Sequence, residues 1–111
     1  MTSKEFNKIV DEFLNKSKAV LMRKEDEYSL SDDRFQFFKN EARIDGSTPE
    51  LILYYCVLKH IASFQEMVKS GKKYSKQLWF DKLGDITNYM VLLYGLLESD
   101  DMFLEEQKED K

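Results

Sequence analysis

Between residues 78 and 97 the chain reads LWFDKLGDITNYMVLLYGLL, its most apolar stretch, and two aspartates interrupt it. Asp81, Asp85 and Asn88 fall at i, i+4 and i+7, so on a helix of 3.6 residues per turn they share one face. Leu78, Trp79, Phe80, Leu83, Ile86, Tyr89, Met90, Leu92 and Leu93 take up most of the remaining circumference. A helix that is apolar nearly all round is a buried one. A carboxylate removed from water is costly unless it is paired, hydrogen-bonded or bound to a metal. What stands opposite Asp81 and Asp85 is therefore the question that the rest of the chain has to answer.

The chain's 111 residues fit one domain large enough to bury a core without staples. With a single proline and four glycines it favours long helices over a turn-rich β-sandwich. Cys56 is the one cysteine, which leaves no internal disulfide and suits a reducing compartment. No uncharged apolar run is long enough to span a membrane, and MTSKEFNKIV has no signal-peptide apolar core. The expected location is cytoplasmic. A net charge of −4 argues against a nucleic-acid binder, which wants a basic face.

Thr2 and Glu5 have capping-box spacing, and Phe6, Ile9, Val10, Phe13, Leu14, Ser17, Val20 and Leu21 follow at helical steps. The predicted first helix ends in the charge-dense run Arg23-Lys24-Glu25-Asp26-Glu27-Tyr28. Ser31 is a suitable cap for a short helix over 32–43, with Asp32 and Asp33 at its positive end. Phe35, Phe37 and Phe38 cannot all face one way. Either the segment is wedged between two partners, or one ring closes over a pocket. Gly46 suits the C′ position.

Thr48 with Pro49 at the first helical position starts a helix to about Ser70, with Ser47 and Glu50 as the alternative capping box and Gly71 as the stop. Lys59, His60, Ser63 and Glu66 are its polar exceptions. Ser75 caps the last helix. Gly84 inside it, repeated at Gly95, points to close approach of another backbone, since a mid-helix glycine costs about 1 kcal/mol relative to alanine. After Leu97 the acidic run ESDDMFLEEQKEDK reads as a flexible tail, with Met102, Phe103 and Leu104 able to dock. The expected organisation is one helical domain over 1–97 and an acidic tail over 98–111. The fold class is all-α: an antiparallel bundle of three long helices and one short one.

Two carboxylates and an amide oxygen on one face are hard ligands for Mg²⁺ or Mn²⁺, which would hold a phosphate chain or activate water. The same residues suit plain pairing with Lys59 or Arg34, or exposure to solvent. Lys59 in turn serves either as an ion-pair partner or as a phosphate contact. His60, the only histidine, makes neither a zinc site nor a catalytic triad. Cys56, in an apolar run, reads as an inert thiol.

Glu27-Tyr28-Ser29, Asp33-Arg34-Phe35 with Phe38, a Pro-started helix bearing Lys59, and Asp81-x-x-x-Asp85-x-x-Asn88-Tyr89 occur in that order. This order resembles the small phage- and prophage-borne MazG-like proteins of the all-α NTP pyrophosphatase superfamily, and DKLGD is similar to the EELGD run of MazG proper. The resemblance covers roughly residues 20–97. It implies a helical bundle, often dimeric or tetrameric, that binds Mg²⁺ and cleaves nucleoside triphosphates to the monophosphate and pyrophosphate. Carried over, Asp81 and Asp85 would be metal ligands, Asn88 a ligand or sugar contact and Lys59 a phosphate contact; in an enzyme built on these residues, Lys59 and Arg34 would offset the charge developing on the phosphates. The chain departs from the family in three places. Residues 1–97 hold no Glu-x-x-Glu pair, Lys82 stands where the last-helix motif has Glu, and Glu-Tyr-Ser replaces Asp-Tyr-Gly.

Two functions follow as expectations. One is a nucleotide-directed phage or mobile-element accessory protein, a weak Mg²⁺-dependent pyrophosphohydrolase or a nucleotide binder, acting as a homo-oligomer. The other is an inactive interaction protein for a host or defence-system protein. A purely structural helical oligomer is a third. A stripe that faces solvent, or pairs wholly with Lys or Arg, rules the enzyme out. Convergence of Asp81 and Asp85 with Glu25, Glu27, Asp32 or Asp33 counts for it.

Overall fold

The computed structural model describes residues 1–28 and 32–105, and of residues 25–28 the backbone alone. The expected Ser31 cap, the Glu-Tyr-Ser turn and the side chains of Glu25 and Glu27 lie outside what is described. The described chain is all-helical: α1 (Ser3–Tyr28), α2 (Gln36–Asp45), α3 (Pro49–Ser70) and α4 (Lys76–Ser99). None of these helices is long and apolar enough to cross a membrane.

Local chemistry sets most of the helix ends. The Thr2 amide donates to Glu5 Oε2 at 2.8 Å and the Glu5 amide to Thr2 Oγ1 at 3.1 Å, a reciprocal capping box. At α3, Thr48 Oγ1 accepts from the Leu51 amide, with Pro49 in the first turn, where its missing N–H costs nothing. Ser47 Oγ makes no such bond. Ser75 caps α4 through the Leu78 amide. Gly46 and Gly71 close α2 and α3 at φ of 67° and 65°, a conformation open to glycine at little cost.

The short helix starts later than its sequence suggests, at Gln36. Asp33 is the reason. Its Oδ1 accepts the Phe35 amide at 2.9 Å and its Oδ2 accepts Lys39 Nζ, so the aspartate holds a turn where a helix would otherwise begin. The Lys39 ammonium bond, followed by the Phe35 amide, holds the Asp33 carboxyl below the usual carboxylate range.

The core lies between α2, α3 and the second half of α4. Phe38, Leu53, Val57 and Leu96 are buried together, flanked by Phe35, Ile52, Cys56, Tyr89 and Leu92. Helices α3 and α4 run antiparallel, with His60 against Tyr89 and Glu50 beside Asp100. On the other flank of α4, α1 sets Phe13 against Phe80 and Ser17 against Gly84 and Asn88. Those contacts advance together along both helices, so α1 and α4 run the same way here, a departure from the expected antiparallel bundle. Gly84 admits a serine side chain and not a backbone: a Cβ there would meet Ser17 Oγ and the Phe80 ring at 3.5 Å. Gly95 faces the Phe35 ring, 3.3 Å from where its Cβ would stand. Beyond α4, the Met102 amide bonds to the Leu97 carbonyl and Phe103 rests on Tyr94, centroids 5.5 Å apart.

Candidate functional site

Helices α1 and α2 lie on the same side of the α3–α4 pair, and a cavity of about 320 Å³ opens among all four. From α1 come Leu21 and Lys24, from the α2 region Arg34, Phe37 and Phe38, from α3 Cys56, and from α4 Asp85, Asn88, Tyr89 and Leu92. The three phenylalanines divide their work. Phe38 enters the core, Phe35 packs beside it, and Phe37, 54% exposed, lines the cavity.

Three of the five residues singled out in the sequence meet here: Arg34, Asp85 and Asn88. Arg34 Nη2 donates to the Leu21 carbonyl at 3.2 Å, tying the start of the α2 region to α1. Asn88 is buried, and its Nδ2 donates to the Ser17 carbonyl at 3.1 Å. Asp85 lies 3.8 Å from Lys24 Nζ and 3.8 Å from His60 Nδ1, close enough for attraction and too far for a hydrogen bond. The other two stand apart. Lys59 is exposed on α3 and does not line the cavity, and Asp81 is exposed and accepts Gln77 Nε2 at 2.7 Å.

The aspartate stripe does share one small cleft. A space of about 20 Å³, the size of a single water or ion, is bordered by Val20, Phe80, Asp81, Gly84, Asp85 and Asn88. Among the described residues, however, no three of His, Cys, Asp and Glu come together as a metal-binding group. The donors present do not make an all-protein cage. They do suit Mg²⁺ that arrives with phosphates, since that ion commonly takes one or two carboxylates and fills its octahedron with substrate oxygens and water.

His60 packs its ring 5.2 Å from Tyr89, and its buried Nδ1 makes no hydrogen bond. Burial pushes its pKa down, against the pull of Asp85, with Lys82 and Lys24 pushing the same way as burial. Lys24, Phe37 and Tyr89 line the cavity without a site role expected from the sequence. Lys24 sits in a charge run at a helix end, a setting that normally reads as solvated. Phe37 carried a signal, as one of three adjacent rings that could not all be core. Cys56, expected to be an inert core thiol, is half-buried and faces the cavity.

Among the described residues, fold and cavity define a small helical protein with an open hollow between four helices, lined by apolar side chains and by Lys24, Arg34 and Asp85. Compared with protein-family models, with curated proteins and with solved structures, the chain finds no match.

Proposed function

We propose that this is a nucleotide-directed protein of MazG-like type, with three long helices and one short one, serving a phage or mobile element. The observation that carries the reading is the meeting of Arg34, Asp85 and Asn88, far apart in sequence, in one cavity with Lys24, Phe37 and Tyr89. Two cations against one described carboxylate favour an anionic ligand, and Arg34 offers a planar fork to phosphate oxygens. Phe37, half-exposed at the cavity, offers a ring face to a base. Asp85 is the group that would touch Mg²⁺ carried in by the phosphates, and the ion would supply charge neutralisation there. Lys59, outside the cavity, has no part in this binding.

Binding without rapid turnover fits the carboxylates better than hydrolysis does. Asp85 already faces Lys24 and His60, and Asp81 is bonded to Gln77. The test is a thermal-shift scan against a nucleotide panel, with and without Mg²⁺, on wild type, Arg34→Ala and Asp85→Ala, followed by a pyrophosphate-release assay. A ligand at 100 times its Kd adds about 2.7 kcal/mol, or several degrees in a domain of this size. A Mg²⁺-dependent shift lost in both variants supports the reading, and release of pyrophosphate by wild type alone makes the protein an enzyme. No shift with any nucleotide overturns it. The interaction-protein reading then takes its place, supported by Phe37 and Ile44, 54% and 82% exposed on α2.

A further inference from the structure

The cavity has a nucleophile in its wall. Cys56 is a free thiol, half-buried on α3. Leu53 and Val57 point into the core, and Cys56 sits about 60° round the helix from Leu53, packed against the core and open to the hollow. A thiol sealed in apolar surroundings is inert. One that lines a hollow of about 320 Å³ meets the solutes that the hollow admits.

Charge selects those solutes. Among the described residues, Lys24 and Arg34 bring two cations to the lining and Asp85 one carboxylate, so the local balance is positive in a chain of net charge −4. Asp85 offsets Lys24 from 3.8 Å. Arg34 gives one N–H to the Leu21 carbonyl and keeps the rest of its fork for a carboxylate.

A second feature of the wall points to an occupant with a hydrogen-bond donor. Asn88 is only 8% exposed and lines the same cavity. Its Nδ2 donates to the Ser17 carbonyl, which fixes the amide, and its Oδ1 accepts no hydrogen bond from the described residues. A buried amide oxygen without a donor is unfavourable, and an N–H of a solute in the hollow supplies one. Carboxylates for the cations and an N–H for Asn88 together describe a short acidic peptide.

We propose that Cys56 is a thiolation site, at which the cavity takes a small acidic peptide disulfide and forms a mixed disulfide with half of it. The Cys56 sulfur gives its proton to water and attacks one sulfur of the incoming disulfide. The S–S bond breaks, and the other half leaves as a thiolate. One disulfide is exchanged for another, so no further oxidant is needed. Lys24 and Arg34 face the carboxylates of the retained half, and Asn88 Oδ1 its amide N–H. The adduct fills the hollow, so thiolation closes the cavity to other ligands and reduction reopens it. The site shares its cavity with the proposed nucleotide site and does not rest on that reading.

The test is mass spectrometry of the full chain incubated with oxidised glutathione or with its carboxyl ethyl ester. Each rate is taken relative to that of a short cysteine peptide with the same reagent. Wild type is expected to gain one adduct, with the acidic reagent favoured over the ester by about tenfold at low salt and by less at high salt. Lys24→Gln and Arg34→Gln should bring the preference towards one, and Asp85→Asn should raise it. Circular dichroism checks the fold of each variant, and Lys24→Gln and Asp85→Asn decide if Arg34→Gln unfolds. A wild type that reacts only in urea, or that shows no preference for the acidic reagent, overturns the proposal. So does a preference that the substitutions leave unchanged. These reactions contain no nucleotide, so a failed nucleotide scan leaves their outcome standing, and the reverse.

Discussion

Asn88 reaches from α4 to the backbone of α1, where its Nδ2 donates to the Ser17 carbonyl at 3.1 Å in a buried setting. The bond joins residues 71 positions apart in the chain. It holds α1 against the flank of α4 that also forms the cavity wall, so the placement of Lys24 depends on it.

Asn88→Ala is expected to lower stability by about 1–3 kcal/mol, since it removes the donor and leaves a void in a buried contact. Urea denaturation should show a lower midpoint with an unchanged slope. Asn88→Leu, which fills the space without the bond, separates the hydrogen bond from the packing.

Gly84 offers a stabilising change. A methyl group there meets Ser17 Oγ and the Phe80 ring at ordinary contact distance, and mid-helix alanine is favoured over glycine by about 1 kcal/mol. Gly84→Ala should raise Tm by a few degrees at fixed chain concentration. Gly95→Ala, pressed at 3.3 Å against Phe35, should gain less or lose. Equal gains at both positions would count against the geometry around Phe35.

The His60 pKa lies below its ordinary value, with burial the largest cause. The unfolded chain then binds the proton more readily than the folded one. Stability from this group is full above the ordinary histidine pKa and is lost as pH falls through the window down to the folded value. His60→Gln should flatten the pH dependence of Tm in that window. An NMR titration of the single histidine reads the shift directly, and an ordinary pKa would refute it.

Glu50 has the opposite sign for an acid. Burial first, and then the Asp100 carboxyl beside it, push its pKa up. The folded chain holds that proton more tightly, so this contribution falls as pH rises from the ordinary glutamate value through the raised one. In Glu50→Gln the slope of stability against pH across that interval should shrink, measured by chemical denaturation at matched ionic strength.

Thr48→Ala is expected to cost about 1 kcal/mol through loss of the cap on the Leu51 amide. Ser47→Ala should cost little, because Ser47 makes no capping bond. A larger loss at Ser47 would mean that the capping box has moved one residue upstream.

The amino-acid sequence by itself determined the helices and most of their ends. Thr2 with Glu5, Thr48 with Pro49, Ser75, Gly46 and Gly71 act on amides and dihedrals within a few residues, so their effect is legible without a fold. It also placed Asp81, Asp85 and Asn88 on one helix, and Phe35, Phe37 and Phe38 where one ring had to leave the core. The tertiary structure decided which of those residues meet. Asp85 and Asn88 turn toward Arg34 and Lys24 because α1 and α2 pack on the same side of the α3–α4 pair, while Asp81, one turn earlier, stays exposed beside Gln77. Asp33 delayed α2 by forming its own turn, a competition between side chain and backbone that spacing does not reveal. Helix formation is local, whereas a site formed by four helices depends on long-range contacts such as that of Asn88 with Ser17, which no periodicity encodes.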